Sequence, residues 1–334
     1  MRQSALVVQS FGRENEYKRV MLTVLSFFAF NDAAYTKVIL FTDRPERFEK
    51  VFAGLDVHYV LLTGEKIQQM RGQIDFLHRM KIALIEEAFS LIGDRFLFYA
   101  DSDSFFLQSI QSLLGQLDPE TASMHLKEYL FEAMATFELP AGETFRAAHA
   151  CFSEHVLNDA SGNALKVDPK SEWSWNAGVM CFHPKQAEII PDVYTLTDQI
   201  YPASGNHASE QYAFSIMLQR RYKMVPCFEY NYHYWYRTKK QIADWFLHDH
   251  IDAPFESLPL EDKISRAKGW VTRLRKEFRS NIRRVQDEAV QSFNRREFAR
   301  GYAFAFKALL SSPGFNTSFY KDVLYHTKKM ISGK

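Results

Sequence analysis

The chain has 334 residues, 46% of them hydrophobic and 24% charged, the balance of a globular protein of about two domains. That excludes a collagen, a disordered chain and a multi-span membrane protein, while 29 phenylalanines point to thick aromatic cores or sticky surface patches. The net charge of +1 hides a split. Residues 263–334 carry 17 Lys and Arg against five Asp and Glu, and the rest carry 24 against 35. An acidic body, unsuited to nucleic acid, therefore precedes a basic appendage with a different partner.

Ala5–Gln9 reads as a first strand rather than a secretory signal. Tyr17–Phe30 reads as a helix with Val20, Val24, Phe27 and Phe28 on one face. Its apolar stretch, Val20–Phe30, is too short to span a bilayer. Lys37–Phe41 and Val57–Leu62 read as strands, Phe76–Phe89 as a helix and Arg95–Tyr99 as a fourth strand. This alternation predicts an α/β fold, a mostly parallel sheet flanked by helices. Helix-like Leu107–Leu117, strand-like Ser123–Lys127 and an irregular stretch over 131–171 follow. Gly178–Phe182 and Tyr222–Pro226 read as strands, Gln186–Tyr201 and Ser209–Arg220 as helices, and the pattern is helical from about residue 256. The three cysteines, Cys151, Cys181 and Cys227, lie far apart. They imply no disulfide framework, so a reducing, cytoplasmic setting is expected.

Chemistry concentrates after the fourth strand, where Phe96-Leu97-Phe98-Tyr99-Ala100 runs into Asp101-Ser102-Asp103. Ligands of open parallel sheets bind at the carboxyl ends of strands. Two carboxylates there suit Mn²⁺ or Mg²⁺, which shares its remaining positions with phosphate oxygens and water. The competing reading is a solvated acidic turn. An EF-hand fails on Phe105, Phe106 and Ser112. A haloacid-dehalogenase-type phosphatase fits poorly with Phe105 and with so late a motif. Ser10–Tyr17 and Thr42-Asp43 close the first two strands and are placed to hold a nucleotide. Tyr17 would stack on a base and Asp43 would bond base or ribose; the alternatives are a helix entry and a cap ahead of Pro45. Asn176-Ala177-Gly178 sits just before a strand, where small residues admit a sugar to the backbone; a plain turn is the alternative. Glu210-Gln211 opens a helix with Ser209 as its expected cap. His149, Cys151 and His155 lack the tight pairing of a zinc site.

His78-Arg79-Met80-Lys81, Asp101-Ser102-Asp103, Trp175-Asn176-Ala177-Gly178-Val179-Met180, Glu210-Gln211 and Asn231-Tyr232-His233 stand in an order that resembles the GT-A-fold glycosyltransferases. The likeness is to the branch with glycogenin and bacterial lipopolysaccharide galactosyltransferases, and it covers about residues 5–240. It implies a metal site of Asp101, Asp103 and His233. It implies donor-binding roles for Ser10, Tyr17, Asp43, Arg79, Lys81, Ser102, Asn176, Ala177 and Gly178. It makes Glu210 and Gln211 the catalytic pair, deprotonating the acceptor or orienting the donor sugar. Relatives follow the late histidine with Gly and Lys-Pro-Trp, whereas here Tyr234-Trp235-Tyr236-Arg237 follows.

In the appendage, Ile264, Ala267, Val271, Leu274, Phe278, Ile282, Val285, Ala289 and Phe293 form one apolar helical stripe. Arg266, Lys268, Arg273, Arg275, Lys276, Arg279, Arg283 and Arg284 lie between them. Such a helix either lies on an anionic membrane surface or packs its stripe on the body. Gly301–Leu310 and the following Ser311-Ser312-Pro313-Gly314 suggest a closing helical hairpin.

The expectation is a GT-A-like catalytic domain over 1–255 and a basic helical region over 256–334. The expected activity is metal-dependent sugar transfer from a nucleoside-diphosphate sugar to a hydroxyl acceptor, a surface glycan or glycolipid. The setting would be the cytoplasm, peripherally at the inner face of the membrane, with residues 263–300 facing anionic lipid. The rivals are a metal-dependent phosphatase or nucleotidyltransferase, and a non-catalytic membrane-binding module with a degenerate transferase fold.

Overall fold

The computed structural model describes residues 1–137, 142–294, 296–312 and 317–331. They divide into two compact units: Met1–Trp235 with Leu247–Val271, and Tyr236–Phe246 with Thr272–Lys334. The helices Arg237–His250 and Leu260–Ser280 each contribute to both.

The first unit is built on seven strands: β1 (Ser4–Ser10), β2 (Thr36–Thr42), β3 (Val57–Leu61), β4 (Phe96–Ala100), then Thr121–Met124, Val179–Phe182 and Lys223–Pro226. Across the sheet the order is Lys223–Pro226, Thr121–Met124, Val179–Phe182, β4, β1, β2, β3. Val179–Phe182 runs antiparallel to both neighbours, and every other pairing is parallel. The sheet is thus mixed and mostly parallel, flanked by helices, as the sequence predicts.

Burial explains the unbroken apolar runs. Ala5 and Val7 pack in one core with Met80, Leu84 and Ala88 of the helix Arg79–Ile92. Leu6 and Val8 are equally buried and point to the other face, because side chains alternate along a strand. A strand covered on both faces loses the polar alternation of a half-exposed one.

Several elements differ from expectation. Residues 104–106 form a short strand, and the following helix is only Gln111–Gln116. The expected strand Ser123–Lys127 breaks at His125 and Leu126, whose backbone groups pair with Asn176 (His125 N–H to Asn176 O 3.1 Å, Asn176 N–H to Leu126 O 2.9 Å). A second strand, Lys127–Leu130, then pairs with Trp173–Trp175. Within 131–171 lie a 3₁₀ segment, the helix Gly142–Glu154 and a two-residue hairpin. Ser209 is not a cap; its hydroxyl donates to Asn206 O at 2.7 Å, one turn back.

In the second unit the single long stripe is interrupted at Asn281, whose side chain accepts from Arg283 N–H at 3.1 Å and starts a new helix, Ile282–Asn294. Val285, Ala289 and Phe293 are buried with Ala305, Ala308 and Phe319 of the helices Phe298–Ser311 and Thr317–Ile331. The turn expected at Pro313-Gly314 lies outside the described residues. Among the described residues no helix is long and apolar enough to cross a membrane.

Candidate metal and donor site

The parallel register places Ser10 beside Thr42 and Val8 beside Ala100. Ser10, Asp43 and Asp101 therefore share the carboxyl edge of the sheet. β4 is wholly buried and delivers Asp101 to that edge, where its N–H donates to Gly178 O at 2.7 Å. The turn is pinned from below: the Thr23 hydroxyl lies 3.1 Å from Ser102 O and 2.9 Å from Ser104 O. Ser104–Phe106 then pairs antiparallel with Asn231–His233, setting His233 opposite Ser104. A 127-residue sequence separation is closed by this two-stranded ladder, and Tyr234 N–H adds a bond to Asp103 O at 2.8 Å.

Asp101, Asp103 and His233 each turn one ligand atom inward, all within 4.8 Å of one another. His233 Nε2 is 3.3 Å from Asp103 and 3.8 Å from Asp101. The other ring nitrogen decides the tautomer. Nδ1 is 2.8 Å from Asn176 Oδ1, and the Asn176 amide is itself oriented, because Nδ2 donates to Glu128 at 3.1 Å. Asn176 Oδ1 must accept, so Nδ1 carries a hydrogen, and Nε2 is the ring nitrogen that faces the carboxylates. Two carboxylate oxygens and an imidazole nitrogen form a donor set that fits a divalent metal ion.

The Asn176-Ala177-Gly178 segment is built around that histidine. A Cβ on Gly178 would lie 1.9 Å from His233 Cε1. Gln211 holds the same segment, accepting from Ala177 N–H at 3.1 Å and donating to Glu128 at 2.8 Å. Beneath it, Lys81 is buried with Nζ 3.3 Å from Asp101, 3.3 Å from Glu210 and 3.2 Å from Ala177 O. Burial alone would lower the Lys81 pKa, but the two carboxylates overcome it and hold the ammonium above its ordinary value. Glu210 Oε2 is buried without a hydrogen-bond partner.

Three further groups enter the site without having been singled out. Tyr99 donates to Asp101 at 2.5 Å and accepts from Gln9 at 2.9 Å; in the sequence it is one more residue of an apolar strand. Glu128 accepts from Asn176, Gln211 and Ser174, and burial raises its pKa against their opposition. It follows the unforeseen strand break, so no pattern drew attention to it. His125 donates to Asn231 O at 3.1 Å and stands edge-on to the His233 ring. Burial first, then His233, lowers its pKa to about 3.

The remaining expected residues lie apart from this cluster or are bound to one another. Tyr17 is buried edge-on against Phe48, and its hydroxyl donates to Asp43 at 2.9 Å. Asp43 also accepts from Gly12 N–H at 3.1 Å, so it joins the first two strand ends rather than capping the helix at Pro45. Ser10 Oγ is buried without a partner. Ser102 donates to Glu16 at 2.6 Å. Arg79 forms a two-pronged pair with Asp198 (2.7 and 3.0 Å) and lies over the Tyr194 ring. His149 faces Glu132 at 3.3 Å and joins no metal cluster among the described residues.

No family model matches the chain, and no curated protein matches it. Among solved structures it is similar to the galactosyltransferase LgtC, crystallised with donor and acceptor sugar analogues. That match has 11% identity and a TM-score of 0.43, over 66% of this chain and 73% of the other. It is also similar to the glycosyltransferase GlyE of Streptococcus pneumoniae TIGR4 (15%, 0.40, 67% and 46%). The bifunctional glycosyltransferase WbbM is a third such structure (10%, 0.45, 82% and 51%). The matches span about half the length of GlyE and WbbM.

Proposed function

We propose that the protein transfers a sugar from a nucleoside-diphosphate sugar to a hydroxyl acceptor, with Mn²⁺ or Mg²⁺ held by Asp101, Asp103 and His233. The observation that carries this reading is the convergence of His233 Nε2 on both carboxylates, with the ring oriented from its other nitrogen by Asn176. When bound, the cation would neutralise charge on the nucleoside-diphosphate leaving group.

The chain's own residues supply the rest. Lys81 keeps Asp101 and Glu210 in place as one ion-paired set. Tyr99 gives Asp101 a hydrogen bond on the carboxylate oxygen that Lys81 does not touch. The unpartnered Glu210 Oε2 is a buried acceptor that a hydroxyl would satisfy. It takes the acceptor proton, or holds a donor-sugar hydroxyl, as the bond from the sugar to the diphosphate breaks. Ser10, Asp43 and Ser102 lie along the carboxyl edge that would receive the nucleotide. The acceptor we favour is a surface polysaccharide or glycolipid, met at the cytoplasmic face of a membrane on which the protein sits peripherally.

Incubation with a panel of nucleoside-diphosphate sugars and Mn²⁺ tests the reading through release of free nucleoside diphosphate. Release from at least one donor, abolished by chelation, is expected. Phosphatase activity with no release from any donor would overturn it.

A further inference from the structure

The stripe expected to meet either a membrane or the body is largely buried: Ala267, Val271, Leu274 and Phe278 are shielded from solvent, and Val285, Ala289 and Phe293 are consumed inside the second unit. The outer sides of its last two helices are apolar instead. On Phe298–Ser311 the buried positions Gly301, Ala305 and Ala308 recur at helical spacing. Ala303, Phe306 and Leu310 fall about half a turn away, with Phe306 62% and Leu310 68% exposed. On Thr317–Ile331, Leu324 and Tyr325 are each 61% and Ile331 78% exposed.

Phe306 and Leu310 stand one turn apart on one helix, and Leu324 and Ile331 two turns apart on the other; soluble surfaces rarely leave such rows of large apolar side chains without a partner. Cations accompany them. Lys307 follows Phe306, and Lys321 and Lys328 stand one turn either side of Leu324. The whole unit carries 17 Lys and Arg against six Asp and Glu. That charge opposes a contact between two copies of this face and favours an anionic plane.

We propose that the Phe298–Ser311 and Thr317–Ile331 helices dock on an anionic lipid bilayer. Phe306, Leu310, Leu324, Tyr325 and Ile331 enter the headgroup–acyl boundary, and Lys307, Lys321 and Lys328 reach lipid phosphates along their aliphatic stems. The proposal deepens, and rests on, the membrane-surface setting given above. It moves the contact from residues 263–300 to the helices Phe298–Ser311 and Thr317–Ile331.

The test is sedimentation of the full-length protein with phosphatidylcholine vesicles, with and without about one quarter phosphatidylglycerol. Binding is expected only with the anionic lipid, weakening as salt rises. Two double variants, Phe306→Ser with Leu310→Ser and Leu324→Ser with Ile331→Ser, should each lower vesicle partitioning about tenfold or more. Their melting temperatures and donor hydrolysis in solution should stay at wild-type values. The proposal is overturned if wild-type protein stays unbound, if both variants bind as wild type does, or if both merely dissolve a dimer seen without lipid. Binding is read without donor, so failure of sugar transfer alone leaves this result standing, and the converse holds.

Discussion

In the first unit Lys81, Asp101, Glu128, Glu210 and His233 are held in one connected set of hydrogen bonds and ion pairs around Asn176. In the second unit Arg275, Lys276, Arg279 and Lys307 stand exposed on helix surfaces. Burial makes the position of each charge costly to change, because an unpaired buried charge has no water to fall back on. Exposure makes each charge individually cheap, so the basic unit acts through its sum. Single substitutions should therefore be felt strongly in the acidic unit and weakly in the basic one.

The largest expected effect is at the carboxylates themselves. Asp103→Asn keeps shape and removes charge beside His233. It should lower Mn²⁺-dependent release of nucleoside diphosphate by about a thousandfold, the scale of losing a transition-state charge partner. A variant within tenfold of wild type would remove Asp103 from the metal site and weaken the contrast between units.

Next is a pH effect. His125 is buried and neutral, with its pKa lowered from 6.5 to about 3. Between those values the unfolded chain binds the proton and the folded one does not, so stability is full above pH 6.5 and lost as pH falls towards 3. The full span is on the order of 5 kcal/mol. Urea titrations in chelator at pH 7 and pH 4 should show a smaller loss for His125→Gln, whose amide can still donate to Asn231 O. Equal losses would show that His125 is not a buried neutral group.

Gly178→Ala comes third. Its Cβ would collide with the His233 ring, so the variant should lose about 1–3 kcal/mol of stability. It should also bind Mn²⁺ about 10–100-fold more weakly, as expected when a ligand's support is disturbed. Isothermal titration checks the second number; unchanged affinity would mean that the glycine does not position the histidine.

Arg79 is a smaller and sharper case, because the resemblance assigns it to the donor and the structure pairs it with Asp198. Arg79→Ala should cost about 1–2 kcal/mol of stability and leave the donor KM unchanged. A raised KM at unchanged melting temperature would return Arg79 to the donor site.

These cases also show what was legible beforehand. Strands buried on both faces were readable because continuous apolar runs have one economical explanation. Asp101 and Asp103 were readable because they follow such a run directly. His233 was reachable only through the family resemblance, since its contact with Asp103 depends on the pairing of two three-residue strands, too short to leave a periodic signal. Glu128 was missed because the break at His125 and Leu126 is made by long-range bonds to Asn176. The exposed apolar side chains of the last two helices were hidden for a related reason: a helical stripe announces that a face is apolar, not which of several stripes the fold will bury.

The smallest effect tests the other side of the comparison. Arg275 lies exposed on the helix Leu260–Ser280, so its charge is already hydrated and screened. Arg275→Ala should change stability by less than about 0.5 kcal/mol and lower anionic-vesicle binding only slightly, because about 1 kcal/mol per basic residue is the upper scale for charges at the lipid surface. Thermal denaturation and vesicle sedimentation read the two effects separately. A loss of stability as large as that of Gly178→Ala would mean that the basic unit holds its charges as tightly as the acidic one, and the division of labour between them would fail.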